Sequence, residues 1–104
     1  MKNQTRQSLS EIRKDITDID NQMASLFEDR MKLVGEVAAY KKANGLSIYD
    51  PAREEQVLQN GGARIHEAEY KSYYYSFQKN LMEISRRYQC RIMEGLKVAY
   101  CGTE

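Results

Sequence analysis

The chain has 104 residues, 41% hydrophobic and 30% charged, and its 16 basic and 15 acidic side chains leave a formal net charge of +1. Such a balance fits one folded domain and excludes a disordered tail or a nucleic-acid binder, whose usual footprint is a basic excess. No stretch approaches the roughly 20 apolar residues that cross a bilayer, and the opening "MKNQTRQSLSEI" lacks the apolar run of a secretory signal, so the expected setting is cytoplasmic.

The first element is announced by Leu9, Ile12, Ile16, Ile19, Met23 and Leu26, apolar positions separated by alternating steps of three and four. That pattern is a heptad seam. It resumes at Leu33, Val37 and Tyr40, while Phe27, Val34 and Lys41 run beside it at heptad spacing. Ser8 followed by Glu11 reads as a capping box at the start, and Asn44-Gly45 as a left-handed stop at the end. The spacing therefore predicts one helix of about 35 residues, roughly 50 Å long at 1.5 Å per residue. A compact domain of 100 residues has a radius of gyration near only about 13 Å. Such a helix cannot hide its seam within its own chain, and a partner helix from a second copy is expected, giving an intertwined homodimer.

Asp50 is a favoured N-cap and Pro51 a favoured first residue, so a second helix is predicted from "DPAREEQVL" onward, faltering at Gly61-Gly62 because adjacent glycines are costly in a helix. Tyr70, Tyr74, Phe77, Leu81, Ile84, Tyr88 and Ile92 mark a third helix, ended by Gly95. Beyond it, "LKVAYCGTE" reads as a short strand and turn. Cys90 and Cys101 stand without a partner motif and read as free thiols, Cys90 packing as a small hydrophobe. His66 reads as a surface residue, and Tyr73-Tyr74-Tyr75 as packing and rim. The expected fold class is all-α, three helices per chain with one very long N-terminal helix.

Polar side chains then fall where apolar ones belong. Counting heptads from Leu26 reaches Arg30. Either this arginine sets the register or snorkels to water, or it points into a cavity between helices and meets an anion. Lys41 lies eleven residues further on, back within roughly 20° of the same face and about 16 Å along the axis, so the two cations can converge on one object. Arg13 lies seventeen residues before Arg30, about 25 Å away on a straight helix. It shares a site with Arg30 only if it comes from another subunit; otherwise it is a solvated residue beside Ile12. Ser85 and Gln89 sit one turn apart, about 40° and 80° from the centre of the third helix's stripe as counted from Leu81, at the edge where a pocket wall would stand.

Together, "EIRKDI", "EDRMKLVGEVAAYKK", "YDPAREEQV" and "EISRRYQ" resemble the all-helical class of chorismate mutase, and the resemblance runs from about Leu9 to Gln89 with no departure at the motif positions. It implies an isomerase that rearranges chorismate to prephenate on the route to phenylalanine and tyrosine, within the shikimate pathway, with no metal or cofactor. By the family's pattern, Arg30 and the Arg13 of a second copy hold the substrate's two carboxylates. Lys41 and Gln89 donate to its ether oxygen, Glu54 accepts from its hydroxyl with the backbone near Asp50 assisting, and Ser85 contacts a carboxylate. Arg53 belongs to the motif, with the ordering of Glu54 and Asp50 as its expected part. The tail also resembles the opening strand of a prephenate dehydratase domain, which implies a mutase domain over residues 1–95 and a truncated second domain over 96–104. Two rival readings stay open: an isochorismate pyruvate lyase on the same fold, and a non-catalytic dimerisation or regulatory module.

Overall fold

The computed structural model describes residues 8–94. Among them the fold is all-α: α1 covers Leu9–Ala43, α2 Pro51–Arg64 and α3 Lys71–Glu94, with one 3-10 turn, Ala68–Tyr70, leading into α3. The chain forms two compact units, Met1–Lys32 and Leu33–Glu104. None of the described helices is long and apolar enough to cross a membrane. The segment 96–104, expected to open a second domain, lies outside the described residues, as does Gly95.

Local chemistry sets the helix ends. Ser8 Oγ accepts from the Glu11 backbone N–H at 3.1 Å, satisfying one of the donors that a helix N-terminus leaves orphaned. At the other end of α1, Gly45 has φ 64°, a conformation that glycine adopts without steric cost. Around it the Leu46 N–H reaches the Lys41 carbonyl at 2.9 Å and the Gly45 N–H the Lys42 carbonyl at 3.4 Å, the paired bonds of a Schellman stop. Asn44 adds a side-chain bond to the Tyr40 carbonyl at 2.8 Å. Pro51 opens α2 behind Asp50, whose carboxylate accepts from the Arg53 N–H at 3.1 Å.

In the first unit, Leu9, Ile12, Ile16, Ile19, Met23 and Leu26 all stand exposed, Leu26 to 65%. In the second unit the α1 seam continues exposed through Leu33, Val37 and Tyr40, while Val34 and Ala38 beside it are buried. The buried apolar residues among those described are only Val34, Ala38, Met82 and Cys90, and no large side chain is fully enclosed.

Two expectations give way in the second unit. Helix α2 does not falter at its glycines but runs unbroken to Arg64. Gly61 is buried where α2 packs on α3, and a Cβ there would stand 3.2 Å from the Tyr74 ring and 3.3 Å from Gln78 Oε1. Close helix approach thus outweighs the propensity cost of about 1 kcal/mol for a helical glycine. At the end of α2 the Gly62 carbonyl accepts from both the Ile65 N–H and Lys71 Nζ, the latter at 2.7 Å.

The buried stripe of α3 is also not the apolar one. Gln78, Met82, Ser85 and Gln89 are buried, whereas Phe77 and Tyr88 are exposed. The inward face is therefore displaced by one residue, about 100° around the helix, from the stripe that the apolar pattern marks. Ser85 and Gln89, expected at the edge of that stripe, lie within the buried one. Tyr74 tilts against Phe77 at 5.7 Å between ring centroids and accepts a hydrogen bond from Gln78 Nε2 at 2.8 Å. Cys90 is buried and disulfide-bonded, which corrects its reading as a free thiol; Cys101 lies outside the described residues.

A Cβ at Gly62 would meet nothing within 4 Å. Gly62→Ala should raise the unfolding free energy by about 0.5–1 kcal/mol, and Gly61→Ala should rank below it because the added methyl presses on Tyr74 and Gln78. Urea unfolding of both variants checks the order; equal gains would remove close approach as the reason for Gly61.

Candidate active site

The site in the second unit is built from the end of α1 outward. Because the Schellman stop turns the chain back on itself at Gly45, the carbonyl of Ile48 returns to Lys41, and Lys41 Nζ donates to it at 2.7 Å. The same ammonium donates to Gln89 Oε1 on α3 at 3.0 Å. One partly buried cation thus joins the last turn of α1, the α1–α2 loop and α3. Gln89 is only 7% exposed, so its carboxamide is fixed by this bond rather than by water.

The loop then sets the first turn of α2. Ser47 Oγ donates to the Tyr49 carbonyl at 3.2 Å, and Asp50, the next residue, caps the helix. The Glu54 N–H bonds the Asp50 carbonyl at 3.0 Å, which holds Glu54 one turn in, on the side facing α3. There its carboxylate meets Arg86, whose Nη1 donates to Oε1 at 2.6 Å and to Oε2 at 2.7 Å. The Arg86 guanidinium lies over the Tyr49 ring, 5.1 Å from the centroid, within cation–π range.

Of the eight residues expected to form a site, six belong to this unit: Lys41, Asp50, Arg53, Glu54, Ser85 and Gln89. Lys41 and Gln89 are directly bonded, and Asp50 and Glu54 share the start of α2. Ser85 is buried one turn before Gln89 and donates to the Leu81 carbonyl at 2.9 Å, so donation to a ligand requires its hydroxyl to rotate. The Arg53 side chain is exposed and donates to Gln56 at 3.3 Å, and its backbone N–H engages the Asp50 carboxylate. Arg13, exposed, and Arg30, half-buried, belong to the first unit.

Two participants are absent from the expected set, Arg86 and Tyr49. Arg86 stands inside "EISRRYQ", three residues before Gln89, so its place on the same side of α3 was open to a helical count. What no count supplies is the pairing with Glu54, thirty-two residues away in sequence. Among the described residues no three His, Cys, Asp or Glu side chains gather as metal ligands would.

A family model described as chorismate mutase type II matches residues 12–90, a span that takes in all of these side chains. The chain belongs to that family. Among curated proteins it is 40% identical over 63 residues to the T-protein of Haemophilus influenzae, covering 61% of this chain and 16% of the relative. It is 41% identical over 51 residues to the chorismate mutase of Methanocaldococcus jannaschii, covering 49% of this chain and 52% of the relative. The chain thus spans about half of one relative and a much smaller share of the other. No solved structure gives a significant match.

Within a chorismate mutase type II chain, the Lys41–Gln89 pair has a definite chemical capacity. Two of the three ammonium N–H groups are engaged among the described residues, and Gln89 uses its oxygen as the acceptor, which leaves its NH₂ to donate. An ammonium and a carboxamide side by side offer two donors to one developing anionic oxygen, in a setting where burial strengthens both bonds.

Proposed function

We propose that this chain catalyses the rearrangement of chorismate to prephenate in the biosynthesis of phenylalanine and tyrosine, as an isomerase working by conformational restriction and electrostatic stabilisation. The observation that carries the reading is the bonded Lys41–Gln89 pair, present in a chain of the chorismate mutase type II family. In this pericyclic step the ether C–O bond breaks as a new C–C bond forms within the same molecule, so no nucleophile, proton transfer or electron acceptor is required. What the step asks of a protein is to hold a flexible dicarboxylate in a compact reactive conformer and to stabilise negative charge growing on the ether oxygen.

On this reading Lys41 and Gln89 donate to the ether oxygen. Glu54 accepts from the substrate hydroxyl, with the Asp50 cap fixing the turn that carries it. Arg30 and the Arg13 of a second copy clamp the carboxylates, for which a planar guanidinium fork is suited; Ser85 assists at a carboxylate, and Arg53 contributes least. The homodimer is supported by the exposed seam from Leu9 to Leu26, since a heptad stripe of that length is normally covered by another helix. A cytoplasmic setting completes the reading, as does an organisation with the mutase domain over 1–95 and a following, dehydratase-like domain beginning at 96–104.

Incubating the chain with chorismate and following its conversion to prephenate tests the activity directly. Lys41→Ala should cost about 10² to 10³ in kcat, the usual loss when one donor to a developing oxyanion is removed; a folded variant with normal turnover would refute the role. Because a carboxamide donates at every pH, activity should stay level between about pH 6 and 8, while Gln89→Glu should be weak at neutral pH and recover in acid, where its carboxyl carries the donating proton. Analytical ultracentrifugation should give a dimer, and a stable monomer with full activity would exclude Arg13 acting from a second copy.

A further inference from the structure

Arg86 lies within "EISRRYQ" but outside the set of residues expected to form the site, and it reaches Glu54, a proposed substrate-contacting residue. Three features set it apart from an ordinary surface ion pair. Its contact with Glu54 is tight, one nitrogen bridging both carboxylate oxygens at 2.6 and 2.7 Å. Both side chains are mostly covered, with 26% of Arg86 and 21% of Glu54 accessible. The guanidinium is further seated on the Tyr49 ring, next to the residue that caps α2. By contrast, the pair Lys14–Asp18 on α1 is open to water on both sides, at 74% and 56%, and pairs of that kind fix little.

We infer that Arg86 is a positioning residue for Glu54: from α3 it holds the carboxylate at a set place and orientation, so that the remaining acceptor capacity of Glu54 is presented to the substrate hydroxyl. A carboxylate offers about four lone-pair sites, and Arg86 occupies one side of it while the other stays available. Without the guanidinium, Glu54 would be tethered only by the first turn of α2 and would sample several rotamers, each misplacing the acceptor. The stacking on Tyr49 links this placement to the same loop that Lys41 grips at Ile48, so the hydroxyl acceptor and the ether-oxygen donors are set by one connected scaffold.

The inference rests on the mutase reading, and a double-mutant cycle separates the two. Turnover of chorismate is measured for the unsubstituted chain, Arg86→Met, Glu54→Gln and the double variant, with urea unfolding of each to establish that it is folded. Arg86→Met should lower kcat/KM by up to about 10²-fold, the scale of a misplacement of about 1 Å, and should cost almost nothing further once Glu54 is already Gln. Arg86→Lys, which keeps a cation able to donate to the carboxylate, should recover most of the loss. A loss of the same size in both backgrounds, or no loss in either, would overturn the positioning role. An unsubstituted chain that leaves chorismate untouched would overturn the mutase reading and this inference with it, an outcome distinct from an active chain whose cycle shows no coupling.

Discussion

The site depends on where one ammonium group goes. Lys41 stands in the last turn of a 35-residue helix, where a lysine would ordinarily extend into water and favour the helix dipole. Instead its Nζ lies 2.7 Å from the Ile48 carbonyl and 3.0 Å from Gln89, and three segments far apart in sequence are held together through it. The chain reversal at Gly45 makes this possible by returning the loop to the helix that has just ended. Once Ile48 is anchored, Tyr49 and Asp50 follow in fixed places, and with them the stacking of Arg86 and the start of α2.

A second constraint is the scarcity of buried apolar surface. Protein interiors normally gather large hydrophobic side chains, yet the described core has four apolar residues and, alongside them, Gln78, Ser85 and Gln89. Each of these polar groups has a hydrogen-bond partner: the Tyr74 hydroxyl, the Leu81 carbonyl and the Lys41 ammonium. Burying them is tolerable because their hydrogen bonds are made. The aliphatic seam residues of α1, by contrast, stand exposed.

The proposed chemistry fits this division of labour. A pericyclic rearrangement draws on binding and field rather than on a reactive side chain, so rigid placement of donors and acceptors is the whole of the protein's task. Lys41 and Gln89 are placed by bonding each other; Glu54 is placed by a helix cap on one side and by Arg86 on the other. The covered Arg86–Glu54 pair costs desolvation that its tight geometry must offset, and the two contacts hold the carboxylate in place.

The sequence alone determined a good deal. The heptad run from Leu9, the Ser8 and Asn44-Gly45 boundaries and the Asp50-Pro51 start are local signals, decided by neighbouring backbone and side-chain chemistry, and the helices begin and end where those signals stand. The family resemblance was legible for the same reason, as spacings along single helices. Gly61-Gly62 misled because propensity is local while the close approach of α2 to Tyr74 and Gln78 is not. The apolar stripe of α3 misled because apolar positions mark faces that are covered by something, without saying whether by the same chain. Only the tertiary structure decided that Gln78, Ser85 and Gln89 turn inward, that Lys41 meets Gln89, and that Arg86 closes on Glu54. Each of those contacts joins residues on different elements or chooses one helix face over another, and their energies depend on a geometry that no sequence spacing contains.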